Sequence, residues 1–408
     1  MEPPRVLAVT LPITGHVMPL TPVLAELVAR GSHVDVLAGR RDTRTFADLG
    51  LSVHDYPADF DDAVQEPSDN FLRVAADLAT WTADPLLGVT LALIDRTRPD
   101  VLLVDSMAPW GRVAGSLRRL PVVTSTSSFL VGAGLGADPR ALVDGVRQVG
   151  RGLPVLRRLG AAVRQVRRAH GVSLGGPLRL LSNRGDATLV YTSAGLQPGG
   201  RLDAGVHLVG PTAAQRPGSV PAGSDLAQAL DGDNPVGYVS LGTVYWNRPR
   251  VLSNAAQALA AAGLRPVVGV GPGLSAADLG KLPPGTIVQH DVPQTAVLER
   301  ARVFVTHGGL NGVHEALWRA VPLVVVPQAA DQPVVGARLS ALGAATVVRR
   351  PDLATLSAAI RWALAPAARA AARALGDDLR RTGGAGQAAD VVFGTWEAFR
   401  RRPSPEAT

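Results

Sequence analysis

The sequence predicts an α/β protein made of two doubly wound, Rossmann-like parallel sheets, and three observations predict it. Its 408 residues exceed one ordinary core and suit two domains of roughly 200 residues each. Short apolar runs alternate with helical segments in both halves, the rhythm of a parallel sheet covered by helices on both faces. Between the halves, a stretch rich in Gly and Pro lacks long apolar periodicity and reads as a linker.

In the first half, residues 6–11 form an apolar run read as a buried strand, and 19–30 a helix closed by Gly31. Residues 34–38 are the next strand. Residues 101–104 are another, ending at Asp105, and 121–124 follow after a helix. The second half repeats the pattern: strands at 236–241, 266–270, 286–289, 303–306 and 323–326, with helices at 250–262 and 311–319. The expected boundaries are 1–200 for the first domain, 201–233 for the linker and 234–387 for the second. In such sheets ligands sit beyond the carboxyl ends of the strands, so chemistry is sought there.

Composition removes several classes of function. Cysteine is absent, which excludes disulfides, thiolate metal sites and cysteine nucleophiles and makes a reducing cytoplasm the expected compartment. The start leads straight into a short apolar run with no cleavage site, so no signal peptide is expected. No run approaches the roughly 20 apolar residues of a membrane-spanning helix. The net charge of +7 invites a nucleic-acid reading, but Lys281 is the single lysine and aromatics are only 4%. With few platforms for stacking bases, no nucleic-acid partner is expected.

The most informative segment is Thr306-His307-Gly308-Gly309-Leu310-Asn311-Gly312-Val313-His314-Glu315. A strand ends, two glycines follow and a helix begins, so backbone N–H groups converge where a diphosphate could approach. His307 offers a donor to a phosphoryl oxygen, and Glu315 an acceptor for ribose hydroxyls. By itself this pattern also fits an ordinary strand-to-helix turn. Downstream, Asp331-Gln332 follows the strand at 323–326 and sets a carboxylate beside an amide, a pairing suited to sugar hydroxyls.

The order of these residues resembles the donor-binding signature of the family containing the UDP-glucosyltransferases, whose bacterial members include macrolide and carotenoid glycosyltransferases. Further pieces follow the family's order over most of the chain. Gly15-His16-Val17-Met18-Pro19 resembles its Gly-His-Val-Asn-Pro loop, and Ser240-Leu241-Gly242-Thr243 its phosphate-binding turn. Val292-Pro293-Gln294 resembles the end of its Trp-x-Pro-Gln nucleobase loop. Two positions depart: Met18 stands where the family has Asn, and Asp291 where it has Trp, with His290 a substitute stacking group.

The resemblance implies a GT-B fold, two Rossmann-like domains facing each other across a cleft, with a C-terminal helix near 388–402 packing back on the first. It implies inverting transfer of a hexose from a nucleotide diphosphate to a hydrophobic acceptor, with no cofactor and no metal. UDP-glucose is the favoured donor and a dTDP-deoxysugar the second. His16 would be the general base, because an imidazole with pKa of about 6.5 suits deprotonation of an alcohol at neutral pH. Asp105 would hold and stabilise its ring. Donor binding falls to Ser240, Gly242, Thr243, Val292, Gln294, His307, Gly308, Gly309, Asn311, Glu315, Asp331 and Gln332. Trp81, Trp110 and Phe129 are candidate walls for the acceptor.

Two enzyme or binding alternatives stay open: a GT-B nucleotide-sugar epimerase or hydrolase, and a non-catalytic auxiliary of another enzyme. A dehydrogenase fits poorly, since no Gly-x-Gly-x-x-Gly follows the first strand. Asp231-Gly232-Asp233 resembles the metal motif of a different glycosyltransferase fold, but its place before a strand reads as a polar turn. The amphipathic stretch at 153–170, with five arginines, reads either as a solvated helix face or as a surface resting on anionic membrane. The sequence leaves the acceptor's identity and the oligomeric state open.

Overall fold

The computed structural model describes residues 2–64, 71–130, 139–199, 202–216, 218–232, 235–242, 247–271 and 273–402. The chain divides into two compact units. The first comprises Met1–Tyr191, Gln197–Thr212 and Gly383–Thr408; the second comprises Thr192–Leu196 and Ala213–Thr382.

The first unit holds a seven-stranded sheet. Its strands are β1 (Val6–Val9), β2 (Val34–Ala38), β3 (Ser52–Asp55), β4 (Val101–Asp105), β5 (Val122–Thr126), β6 (Ala187–Val190) and β7 (Val206–Leu208). They lie in the order β3-β2-β1-β4-β5-β6-β7, and every pairing is parallel. Successive side chains of a strand point to opposite faces, and the core obeys this. Leu7, Val9, Leu102 and Val104 enter one hydrophobic cluster, while Val6, Ala8, Val101 and Leu103 enter the other. Both faces are therefore covered, which is why these strands read as unbroken apolar runs. The helix Gly384–Arg400 contributes Ala388, Ala389, Val392 and Trp396 to the second cluster.

The second unit repeats the topology. Its strands are β8 (Val236–Ser240), β9 (Arg265–Gly269), β10 (Ile287–Gln289), β11 (Ala301–Thr306), β12 (Leu323–Val325) and β13 (Ala345–Val347). The order is β10-β9-β8-β11-β12-β13, again all parallel. Each sheet thus reverses direction once, between β1 and β4 in the first and between β8 and β11 in the second. At such a switch point the loops on either side part and leave a crevice at the carboxyl ends of the strands.

Several expectations from sequence are refined. The segment read as linker contains β7, the seventh strand of the first sheet, and the helix Asp225–Asp231, so Asp231 ends a helix. The first helix runs Thr14–Ala29 and begins five residues before Pro19. The N–H groups of His16 and Val17 both bond to the Ile13 carbonyl, so a helical turn has closed before the proline is reached. His16 consequently sits in the first turn of a helix rather than in a loop.

The stretch at 153–170 belongs to a longer helix, Pro139–His170. Its apolar stripe, Val155, Leu159, Ala162, Val163 and Val166, packs into the core of the first unit. Arg157, Arg164, Arg167 and Arg168 are exposed, and Arg158 bonds to Asp77 at 2.8 Å. A helix resting on a membrane needs that stripe uncovered. Over the residues whose side chains are described, that stripe is covered. No described helix is long and apolar enough to cross a membrane.

Candidate active site

In the first unit, the crevice between β1 and β4 brings His16 and Asp105 together. His16 follows β1, and Asp105 is the last residue of β4. His16 Nδ1 lies 2.9 Å from Asp105 Oδ2 and 3.1 Å from Oδ1. The Asp105 carboxylate is 1% exposed, and Oδ1 also accepts from the Met107 N–H at 2.7 Å. A buried carboxylate so placed accepts the Nδ1 proton and fixes the tautomer in which Nε2 carries the lone pair. Ser127 Oγ, just past β5, stands 3.1 Å from the same Nδ1. No local pattern distinguishes Ser127 within Ser125-Thr126-Ser127-Ser128, so only the fold reveals it.

Of the aromatic residues expected near an acceptor, Trp81 and Trp110 meet through Phe60, whose ring lies 5.2 and 5.4 Å from theirs, edge to face. Trp110 is fully buried and donates its indole N–H to Tyr56 Oη at 3.2 Å; Tyr56 in turn donates to the Thr10 carbonyl. Phe129 is buried as well, and Trp81 is half-buried. Trp110 and Phe129 are thus core side chains as packed, and Trp81 is the member of the group with exposed surface.

In the second unit, β8 and β11 pair so that Ser240 stands opposite Thr306. His307 follows, and its ring lies between two glycines. An ideal Cβ on Gly309 would fall 2.4 Å from His307 Nε2, and one on Gly242 only 2.6 Å from Cε1. Gly242 also has φ +80°, a conformation that strains any side chain. The two glycines are therefore required for the histidine to occupy this turn. Burial pushes the His307 pKa down to about 4, against a hydrogen bond to the Ser240 backbone, so the ring is neutral at pH 7. Asn311 lies in the first turn of the helix Leu310–Trp318.

Glu315, one turn further on, is buried and accepts from Gln294 Nε2 at 2.5 Å; Tyr238 Oη donates to Gln294 Oε1 at 3.3 Å. Burial raises the Glu315 pKa, opposed by that bond and by the charges of Arg319 and Arg216. Gln294, the first residue of the helix Gln294–Arg300, is thereby tied to the helix that follows the glycine turn. Asp331 is the N-cap residue of the helix Gln332–Ala341. Gln332 Oε1 accepts from the N–H groups of Gln328 and Ala329 at 2.8 and 3.1 Å, so its oxygen shapes the loop. The Gln328 amide nitrogen is buried with no partner, a donor that no local sequence pattern marks. Val292 is half-buried, whereas His290 and Asp291 are exposed; Thr243 lies outside the described residues. Among the described residues, no group of three or more His, Asp and Glu side chains is placed to hold a metal ion.

The chain has relatives along nearly its whole length. A family profile described as UDP-glucoronosyl and UDP-glucosyl transferase matches residues 205–364. The elloramycin glycosyltransferase ElmGT of Streptomyces olivaceus is 30% identical over 395 residues, covering 92% of this chain and 93% of that protein. The chain belongs to the UDP-glycosyltransferase family. This glycosyltransferase is also 29% identical to the demethyllactenocin mycarosyltransferase of Streptomyces fradiae, over 94% of its own length and 85% of the relative's. Among solved structures it resembles the calicheamicin glycosyltransferase CalG4, with a TM-score of 0.76 and 26% identity over 99% and 100% of the two chains. The two parallel sheets described above are accordingly those of a GT-B glycosyltransferase.

Proposed function

We propose that the enzyme is an inverting, metal-independent transferase that moves a hexose from a nucleoside diphosphate to a hydroxyl of an apolar natural product. The observation that carries the reading is the 2.9 Å bond from His16 Nδ1 to the buried Asp105 carboxylate. His16 Nε2 takes the proton of the acceptor hydroxyl. The alcohol oxygen bonds to the anomeric carbon while the bond from that carbon to the phosphate oxygen breaks, and its electron pair leaves with the nucleoside diphosphate. Asp105 stabilises the imidazolium as it forms, by charge and by orientation.

In the second unit, the neutral His307 ring and the N–H groups at the start of the Leu310–Trp318 helix suit the charge that grows on the leaving diphosphate. Glu315, positioned by Gln294, is the acceptor for ribose hydroxyls, and Asp331 with Gln332 meets the sugar. Ser240 and Gly242 complete the phosphate turn. An apolar natural product is the acceptor class because the relatives include an elloramycin glycosyltransferase and a demethyllactenocin mycarosyltransferase. UDP-glucose heads the donors, since a carboxylate beside an amide suits a sugar with several free hydroxyls. A deoxysugar on dTDP is the second reading, favoured by Gln332, whose amide oxygen is committed to its own loop.

The test is to incubate the full-length protein with UDP- and dTDP-sugars and an apolar acceptor library, reading product mass and anomeric configuration. One hexose added with inversion is expected. His16→Ala should lower transfer about 10³-fold or more while nucleotide binding persists. Unchanged transfer by that variant removes the assigned base. Free sugar released without an acceptor favours the epimerase or hydrolase alternative.

A further inference from the structure

The first unit carries a second cavity, of about 650 Å³, that the transfer reaction does not use. It lies at the amino ends of β5 and β6, the end of the sheet opposite His16 and Asp105. Four arginines line it, Arg112, Arg119, Arg184 and Arg402, against the single carboxylate of Asp186. Asp186 is already engaged by the Val122 N–H at 3.0 Å and by Arg402 at 3.3 Å, and Arg184 is paired with Asp203. Among the described residues Arg112 and Arg119 have no carboxylate partner.

Arg112 is the most informative of these. Its Nε donates to Asn183 Oδ1 at 2.7 Å, and the fully buried Asn183 is itself held by the Asp105 carbonyl at 3.1 Å. The guanidinium is therefore fixed in place, yet its Nη2 is buried without a hydrogen-bond partner. Burial and the nearby Arg179 charge both lower its pKa. Arg112 and Arg119 thus bring two positive charges to the cavity wall with no carboxylate beside them, a repulsion that a bound anion relieves. Leu120, Val122 and Phe399 supply apolar wall on the remaining sides.

We propose that this cavity binds a phosphate-bearing small molecule, its phosphoryl group held by Arg112 and Arg119 and its organic body lying against Leu120 and Phe399. Planar guanidinium groups match phosphoryl oxygens in pairs, and the mixture of cationic and apolar lining favours an organic phosphate over bare phosphate.

The test is calorimetric titration of the full-length protein with phenyl phosphate and, separately, inorganic phosphate, at fixed ionic strength, repeated on Gly309→Ala, in which the glycine turn proposed to bind the donor is altered. A signal that Gly309→Ala leaves unchanged does not come from the proposed donor site. Saturable binding is expected, tighter for phenyl phosphate, and weakened about tenfold or more by Arg119→Glu, whose side chain is exposed. Arg112→Met should weaken it likewise, with its melting transition recorded to show a folded protein. Binding that is lost in Gly309→Ala, or that both arginine variants leave unchanged, overturns the proposal; so does equal affinity for the two phosphates, which would denote a surface-charge effect. Transfer activity is assayed separately, so a failure here leaves the catalytic reading intact.

Discussion

His16 and Asp105 stand 89 positions apart in the chain, yet Nδ1 of the one lies 2.9 Å from a carboxylate oxygen of the other. The contact exists because β1 and β4 are neighbours at the point where the first sheet reverses direction. One residue closes β4 and the other opens the helix after β1, so both reach the same crevice.

Replacing Asp105 by Asn tests the tautomer argument. The shape is conserved, but an amide oriented to donate toward Nδ1 favours the wrong ring tautomer. We expect kcat to fall about 10²- to 10⁴-fold, with nucleotide affinity unchanged because the residues proposed to bind it lie in the other unit. A kcat within a factor of about three of wild type would show that the carboxylate does not set the imidazole's proton.

Gly309→Ala tests the room made for His307. The new methyl would fall 2.4 Å from the ring, so the ring must move. The expected outcome is a donor KM raised about tenfold or more with an unchanged circular dichroism spectrum. Normal donor kinetics would mean that the ring position is irrelevant to donor binding.

His314 makes stability fall in acid. It is buried against Thr192, 3.2 Å from its hydroxyl, and burial lowers its pKa to about 3 from an ordinary 6.5. Above pH 6.5 it is neutral folded and unfolded. As pH drops below 6.5 the unfolded chain binds a proton that the folded chain refuses until about pH 3, so stability is lost across that interval. His307, lowered to about 4, acts with the same sign. Between pH 7 and 5, His314→Gln should lose about 2 kcal/mol less than wild type in denaturant unfolding. Parallel curves would rule the histidine out as the cause.

Asp42 acts with the opposite sign in the first unit. Burial, then the neighbouring Asp61 carboxylate, raise its pKa to about 6 from 3.8. Below 3.8 the folded and unfolded states are both protonated. Stability is greatest there and declines as pH rises through about 6, where the folded state must ionise. Asp42→Asn should therefore raise the melting temperature of the first unit at pH 7.5 by a few degrees, about 1 kcal/mol after solvent screening, and leave it nearly unchanged at pH 4. A gain of equal size at both pH values would place the effect outside ionisation.

Much of this was legible from residues near one another in sequence. Apolar runs such as 101–104 disclosed the strands, since burial on both faces leaves no room for polar alternation. The Thr306–Glu315 segment disclosed a turn suited to phosphate. The start of the first helix is hidden in the sequence because Pro19 has the look of a helix opening, and only backbone bonding shows a turn closed before it.

The sequence by itself determined the fold class, the repeated strand–helix rhythm and the glycine turns, because each rests on backbone geometry and burial acting over a few residues. Tertiary structure alone decided that Ser127 joins His16, that Trp110 is core, that Gln332 spends its oxygen on its own loop, and that Arg112 lines a cationic cavity. Those are contacts and environments set by strand order and by what packs against each side chain, and no local period encodes which distant residues a folded sheet will make neighbours.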